Sequence, residues 1–421
     1  MKIAIIGSGI AGNTIAYHLQ KQHDITVFEA GNYIGGHTHT HSIVHEGNDY
    51  NVDTGFIVFN DRTYPNFIAL LEALNVPWQP SEMSFSVRTE SADNKGIDLE
   101  YNGTSLNTLF AQRSNLFKPS FHQMIRDILR FNKQSLELLA DGAEIKLGDY
   151  LRQGRYSQQF IDYYIIPMGS AIWSTEARTM LDFPARFFVR FFHHHGMLTV
   201  NDRPEWRTIT GGSNAYVGAL TESFKHKIRL NTPVESVRRL KTSVRVKPLH
   251  GEEEKFDYVF FACHSDQALK ILTDKTPAEQ QILGAIPYQE NAVYLHHDVS
   301  LMPKRKLAWA AWNYHVTEMP TEHVAVTYNM NILQNLQSKE PLLVTLNHTK
   351  LINPAKVIKR LKYMHPIYTL EGAAAQARHA EISGQNRTAY AGAYWRNGFH
   401  EDGVVSALAA LKHFEASEHF E

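Results

Sequence analysis

Residues 2–29 read KIAIIGSGIAGNTIAYHLQKQHDITVFE and allow few folds. Ile3 to Ile6 is a short apolar run with β-branched residues, which predicts a buried parallel strand. The run breaks at Gly7-Ser8-Gly9-Ile10-Ala11-Gly12, and a helical pattern covers Asn13 to Lys21. A second β-branched run, Ile25 to Phe28, ends on Glu29. This is strand, G-x-G-x-x-G, helix, strand and acid in one unit. The glycines serve a tight turn, close backbone approach to a pyrophosphate, and close helix–strand packing. The helix N-terminus offers free N–H groups and a positive dipole end to phosphate oxygens. Glu29 suits a ribose 2′-OH and repels a 2′-phosphate, which argues against NADP. The unit predicts dinucleotide binding.

The rest of the chain narrows the class. Its 421 residues predict two or three domains. Lys+Arg 42 against Asp+Glu 43 leaves no basic surplus for nucleic acid and no charged tail. One cysteine, Cys263, excludes an intrachain disulfide and a cysteine-based metal cluster, and it is compatible with a reducing compartment. No apolar run approaches the length of a membrane span. The start is not expected to be a signal sequence, because cleavage would destroy the glycine loop.

After Glu29 the segment AGNYIGGHTHTHS carries Gly35-Gly36 and then His37, His39 and His41. At strand period these histidines share a face. A polar strand beside the cofactor is the preferred reading, with metal binding as the alternative; no carboxylate stands at a fixed spacing. Tyr50 to Asn60 reads as strand, turn and strand, and Thr63 to Leu74 as a helix. Met83 to Arg88 and Ile97 to Tyr101 read as strands, and Asn115 to Leu139 as mostly helical.

Residues 160–207 are rich in aromatics and arginine, with FPARFFVRFFHHHGML at their centre. Arg186 and Arg190 share a helical face. Three readings compete: a core helix with arginines reaching outward, which is preferred, an acyl-chain pocket with arginines at its mouth, and a membrane-surface patch. His193-His194-His195 reads as a helix end, since adjacent helical residues point about 100° apart. Gly211-Gly212-Ser213 opens a helix over Ala215 to Phe224. Short strands follow from Ile228, and Val259 to Ala262 returns to the first sheet. Cys263-His264 at that strand end is a nucleophile–base pair only if a third group orients it, and none is evident. A helix from Val404 to Phe414, begun by Asp402-Gly403, aims a second N-terminus at something negative.

These pieces together resemble the flavin amine oxidase, protoporphyrinogen oxidase and phytoene desaturase superfamily. The marks are Gly7, Gly9, Gly12 and Glu29, then Gly35-Gly36, Pro233-Val234, and Gly392 with Asp402-Gly403. The wording GGHTHT, DTGFIVFN, PMGSAIWST, FPARFFVRFF, RPEWRTITGGS and GFHEDG is similar to a bacterial branch of predicted NAD/FAD-binding proteins. Members of that branch accompany cyclopropane-fatty-acid synthase-like methyltransferases, and some are implicated in desaturating methyl-branched acyl chains.

The resemblance implies an α/β fold: a Rossmann-type FAD-binding domain from 1–62, 203–270 and 380–421, with an interleaved α+β substrate domain from 63–202 and 271–379. It implies that Gly7, Gly9, Ile10, Ala11 and Gly12 cradle the FAD pyrophosphate, and that Glu29 and Ala30 lie at the adenosine ribose. Gly35, Gly36, His37, Thr38, Thr54 and Gly55 run along pyrophosphate or flavin. Val234 meets adenine, and Asp402, Gly403 and Val404 meet ribitol, pyrophosphate and the flavin edge. Many relatives carry arginine where this chain has His37, and a neutral imidazole lacks arginine's charge and fork of donors. No cysteine occupies Ala391 to Trp395, so FAD is expected to be non-covalent.

The resulting expectation is a cytoplasmic FAD-dependent oxidase or desaturase, peripheral at most to the inner membrane. It takes hydride from an apolar substrate, such as a methyl-branched or unsaturated acyl chain. His264, His400, Lys306 and Tyr394 are the candidates for catalytic roles. An amine oxidase and a non-catalytic flavoprotein scaffold for a lipid methyltransferase are the rival readings.

Overall fold

The structure is a computed structural model and describes residues 1–89, 98–141, 145–199, 203–317 and 324–417. Ile97, the expected start of one strand, lies outside the described residues.

A five-stranded parallel sheet organises one side of the molecule. Its order is Ile228–Arg229, Asp24–Phe28, Lys2–Ile6, Tyr258–Phe261 and Thr388–Tyr390. The opening strand is central, and Ile3, Ala4 and Ile5 are fully buried. That is why its sequence is continuously apolar and not alternating. Ile5 lies opposite Val27 on one side and Phe260 on the other. The helix Ile10–Leu19 buries Ala11, Ile15, Ala16 and Leu19 against this sheet. Chain segments hundreds of residues apart therefore share one sheet.

A seven-stranded mixed sheet organises the other side: Val357–Pro366, Tyr288–His296, Leu343–Leu346, Val326–Asn329, Trp312–Val316, Phe85–Thr89 and Glu100–Asn102. All its pairings are antiparallel except that of Trp312–Val316 with Phe85–Thr89. The largest apolar cluster joins this sheet to the helices Pro119–Gln134 and Ala185–His194. Phe187, Phe188, Phe191 and Phe192 are buried side by side in it, while Arg190 stays exposed above the Phe187 ring. The aromatic run thus forms a core helix with Arg190 directed outward. His195 caps that helix, stacked on Phe191 at 3.8 Å.

Several boundaries differ from expectation for local reasons. The first helix begins at Ile10, not Asn13, because Gly12 belongs to its first turn. The last helix spans His400–Ser417, not Val404 to Phe414, so Asp402 and Gly403 lie inside its first turn. The stretch Asn115 to Leu139 is divided: a helix starts at Pro119, whose missing N–H costs nothing there, and is capped at Ser135. Among the described residues, no helix is long and apolar enough to cross a membrane.

Candidate active site

The glycine loop is built around two close approaches. Gly7 has φ +105°, and a Cβ there would meet the Ala262 carbonyl oxygen at 2.7 Å. A Cβ on Gly12 would stand 2.0 Å from the Gly7 oxygen. Gly9 is different: a Cβ on it would meet nothing within 4 Å. Gly9 also caps the first helix without a side-chain acceptor. The first-turn N–H groups of Ile10, Ala11 and Gly12 have no intrahelical partner, as at any helix start. They face outward for an anion.

Other segments close around this loop. The Gly35 N–H donates to the Ser8 oxygen at 3.0 Å, and Gly36 packs its Cα face on Gly9. Glu29 accepts from the Ser8 N–H (2.9 Å), the Ser8 hydroxyl (2.6 Å) and the Gly31 N–H (2.7 Å). A carboxylate has about four lone-pair sites, so one remains for a sugar hydroxyl. Ala30 is exposed beside it. The Glu29 carbonyl accepts from the Thr232 N–H, which brings Val234 to the same edge. From the far end of the chain, Gly403 abuts the Ile10 side chain so closely that a Cβ would lie 2.6 Å from it. The first turns of the first and last helices therefore sit together, with two positive dipole ends. Val404 is buried in the adjoining cluster. Asp402 accepts from the Asn397 and Phe399 N–H groups, so its carboxylate caps its own helix; burial pushes its carboxyl up to about 6.

A recess follows, lined by histidines and tyrosines. The His37 ring lies 6.1 Å from His264, 5.2 Å from Tyr363 and 5.5 Å from His365. His264 stacks on Tyr288 at 4.5 Å. These imidazoles lie deep in the fold yet keep partial solvent access, so they line a recess and not a sealed core. Burial lowers His37 and His264 to about 4 and His365 to about 3. All three are neutral at pH 7. The His37 Nε2 is buried without a protein partner. Burial also pushes the Cys263 thiol up to about 12, the reverse of an activated nucleophile.

Thr38 and Thr54 lie on adjacent backbones. The Phe56 N–H donates to the His37 oxygen, and a Cβ on Gly55 would meet that oxygen at 2.1 Å. Thr38 Oγ1 bonds Tyr216 OH at 2.6 Å, and Tyr216 OH bonds His400 Nε2 at 2.5 Å. His400 stacks on Phe56 at 3.7 Å, and burial holds it at about 3. On the other side Thr54 Oγ1, Tyr363 OH and His39 Nδ1 form a chain of hydrogen bonds at 2.8 and 3.0 Å.

Of the four candidate catalytic residues, the structure brings His264 and His400 to this region. Lys306 is exposed on a short helix, with its ammonium 5.9 Å from the Trp309 ring, among elements around Glu100 to Asn102. Tyr394 is buried in the core beneath the parallel sheet with Tyr390 and Trp395. Lys306 does not join the recess, and Tyr394 lies beneath it, near Tyr288 and Cys263. Tyr363, His365, Tyr216 and Phe56 were missed. Tyr363 and His365 are two apart on one strand, a same-face signal visible in the wording YMH.

A family profile described as flavin containing amine oxidoreductase matches residues 10–328. The chain belongs to the flavin containing amine oxidoreductase family. Solved structures of similar fold extend the likeness over both ends of the chain. Cyclohexylamine oxidase from Brevibacterium oxydans IH-35A is 14% identical with a TM-score of 0.70, covering 99% of each chain. A protein of Exiguobacterium sp. 255-15 that bears the name protoporphyrinogen oxidase is 18% identical, with a TM-score of 0.69, covering 99% of this chain and 98% of that one. A fatty acid isomerase from P. acnes, which produces CLA, is 14% identical with a TM-score of 0.66, covering 100% and 98%. A search of curated protein sequences finds no match.

This family member is an FAD-dependent oxidoreductase of mixed α/β fold. Its residues fit the cofactor. The loop at Gly9 leaves open space before two helix N-termini, and the recess beyond it carries an unpartnered His37 nitrogen.

Proposed function

We propose that this flavoenzyme oxidises or desaturates an apolar substrate, with a methyl-branched or unsaturated acyl chain as the substrate class. The observation that carries the reading is a continuous run of packed aromatic rings from the largest apolar cluster to His400. Phe187 stacks on Tyr368 at 5.1 Å, and Phe191 stacks on Phe399 at 4.9 Å. Phe399 precedes His400, which bonds Tyr216 and stacks on Phe56. The nearby carboxylates are already engaged: Asp402 by two backbone N–H groups, and Glu401 by the Asn66 and Phe67 N–H groups. Both also lie near cationic or backbone donors, with Arg396 Nε 3.7 Å from Asp402 Oδ1, which disfavours a second cation there. The P. acnes relative acts on a fatty acid, which agrees with this reading, whereas the Brevibacterium relative is named for an amine.

In this proposal FAD is held non-covalently. Gly7, Gly9, Ile10, Ala11 and Gly12 take the pyrophosphate, Glu29 and Ala30 the ribose, and Val234 the adenine edge. Gly35, Gly36, His37, Thr38, Thr54 and Gly55 line the path to the flavin, and Asp402, Gly403 and Val404 bring the second helix end. Bound FAD supplies a hydride acceptor. The chain's residues supply the rest. Neutral His264 and His365 offer ring nitrogens for hydrogen bonds in the recess, while burial opposes their taking up a proton. The chain from Thr54 through Tyr363 to His39 carries a proton toward solvent, since His39 is only half-buried. The division into a discontinuous FAD-binding domain and an interleaved substrate domain belongs to the same proposal. So do a cytoplasmic location and a lipid methyltransferase partner.

Anaerobic incubation of the purified holoenzyme with methyl-branched and unsaturated acyl lipids tests the substrate. Loss of oxidised-flavin absorbance is expected. Fast bleaching by polyamines or tyramine, and none by any acyl lipid, would overturn the reading in favour of an amine oxidase. Acid precipitation of the same preparation should leave the flavin in the supernatant.

A further inference from the structure

The histidine row that begins at His37 ends in a second, unrelated cluster. In the strand Thr40–His45, residues 41, 43 and 45 face inward. His39 and His41 meet each other, but among the described residues they belong to no group of three ligand atoms within reach of one ion. His45, at the strand end, meets two ligating groups from distant segments. One is His297, just after the strand Tyr288–His296, with ring centroids 5.1 Å apart. The other is Glu340, from the loop before Leu343–Leu346. His297 Nδ1 lies 2.7 Å from Glu340 Oε2, and His45 Nε2 lies 3.3 Å from the Glu340 carbonyl oxygen. One ligand atom from each of the three falls within 4.8 Å of the others. Among the described residues this is the one such group.

From these distances we infer that His45, His297 and Glu340 form a divalent transition-metal site, with Zn²⁺ the fitting ion. Two borderline imidazole donors beside one hard carboxylate suit zinc better than magnesium or calcium, which take oxygen ligands. Zinc–nitrogen and zinc–oxygen bonds of about 2.0–2.1 Å in a tetrahedron place ligand atoms roughly 3.3 Å apart. The three ligand atoms, now within 4.8 Å of one another, would draw together to that value around the ion. The exposed Glu340 leaves the fourth position open to a solvent ligand.

The backbone is already arranged for it. Glu46 and Gly47 form a two-residue turn between paired strands, and both have positive φ, 49° and 75°. Such turns favour glycine or asparagine, so glutamate carries strain there. Its carboxylate reaches across to accept from the Lys339 and Glu340 N–H groups at 2.8 and 3.1 Å. Glu46 is thus a positioning residue that holds the third ligand opposite the first. A bound ion would staple the hairpin 40–53 to the seven-stranded sheet, joining segments nearly 300 residues apart.

Tag-free protein, stripped with chelator and then dialysed, provides the test. Zn²⁺ titration by calorimetry should give one saturable equivalent, and Zn²⁺ should raise the melting temperature. Co²⁺ should produce the intense visible bands of a tetrahedral complex. His45→Ala, His297→Ala and Glu340→Gln should each weaken binding at least 10-fold and abolish the Co²⁺ bands, while His250→Ala leaves both unchanged. Glu46→Gly should weaken binding while its far-UV spectrum stays native. No saturable binding to the wild type, or equal binding by the three ligand variants, would overturn the site. Flavin content is read in every sample, so failure of the metal site is separable from failure of the cofactor assignment.

Discussion

Gly9 and Gly12 stand three residues apart and are needed for opposite reasons. Gly12 is required by the protein itself, because its missing Cβ is what lets the first helix touch the loop carbonyl of Gly7. Gly12→Ala should therefore destabilise the fold by about 3 kcal/mol, the upper range for overpacking. Gly9 has φ −69° and ψ −178°, open to any L-residue, and its Cβ direction is empty. Gly9→Ala should leave the apoprotein's urea midpoint unchanged but lower flavin content severalfold. Wild-type flavin content in that variant would contradict the pyrophosphate assignment. The pattern G-x-G-x-x-G shows all three glycines as equals. Only the packing separates the one that serves the helix from the one that serves the ligand.

At the scale of elements, a three-stranded antiparallel sheet, Val234–Leu240, Ser243–Pro248 and Glu254–Phe256, is tied to a neighbouring helix by a buried ionic group. Arg239, on the strand Val234–Leu240, forks onto Glu279 in the helix Pro277–Gly284, and both side chains are nearly inaccessible, at 3% and 2% exposure. Its Nε also meets Asp274 at 3.0 Å. The Tyr390 hydroxyl, from the edge strand of the parallel sheet, donates to Glu279 at 2.7 Å. Burial alone would raise Glu279; the Arg239 fork and the Thr276 N–H outweigh it and hold the carboxyl below its usual value. Removing one partner leaves the other charge buried and unpaired. Arg239→Met should cost about 3–5 kcal/mol, and adding Glu279→Met should recover part of that loss. A double variant less stable than the single would refute the pairing argument. Nothing in the local sequence joins residues 239, 279 and 390. Short strands from Ile228 are expected there, but the helix Pro277–Gly284 and the bond to it come from the structure.

At the scale of the molecule, burial of neutral histidines governs the response to acid. His37, His41, His195, His264, His296 and His379 are lowered to about 4, and His315, His365 and His400 to about 3, with burial the leading cause in each. The unfolded value is about 6.5. Between about pH 4 and 6.5 the unfolded chain therefore binds more protons than the folded one, and stability rises with pH across that window. Asp53 and Asp402, raised by burial to about 6, act the other way: they favour the folded state as pH falls through that value. Nine groups outweigh two. The urea midpoint of the apoprotein should fall steadily from pH 7 to pH 5. A flat or rising midpoint would show that these imidazoles are not buried neutral. The sequence displays 23 histidines, and that count has no direction until burial is known.

What the sequence determined by itself was local: strand, glycine loop, helix, strand and acid at the start, and a helix beginning near Asp402-Gly403 at the end. Steric limits on backbone and the periodicity of apolar residues act over a few positions, so they can be read from a few positions. The tertiary structure alone decided which distant residues meet. It set His37 beside His264 and His365, turned Tyr394 into core and left Lys306 on the surface. It also joined His45 to His297 and Glu340. An imidazole has the same local preferences in a core, a recess or a metal site. Its role is assigned by neighbours that the chain brings from hundreds of residues away.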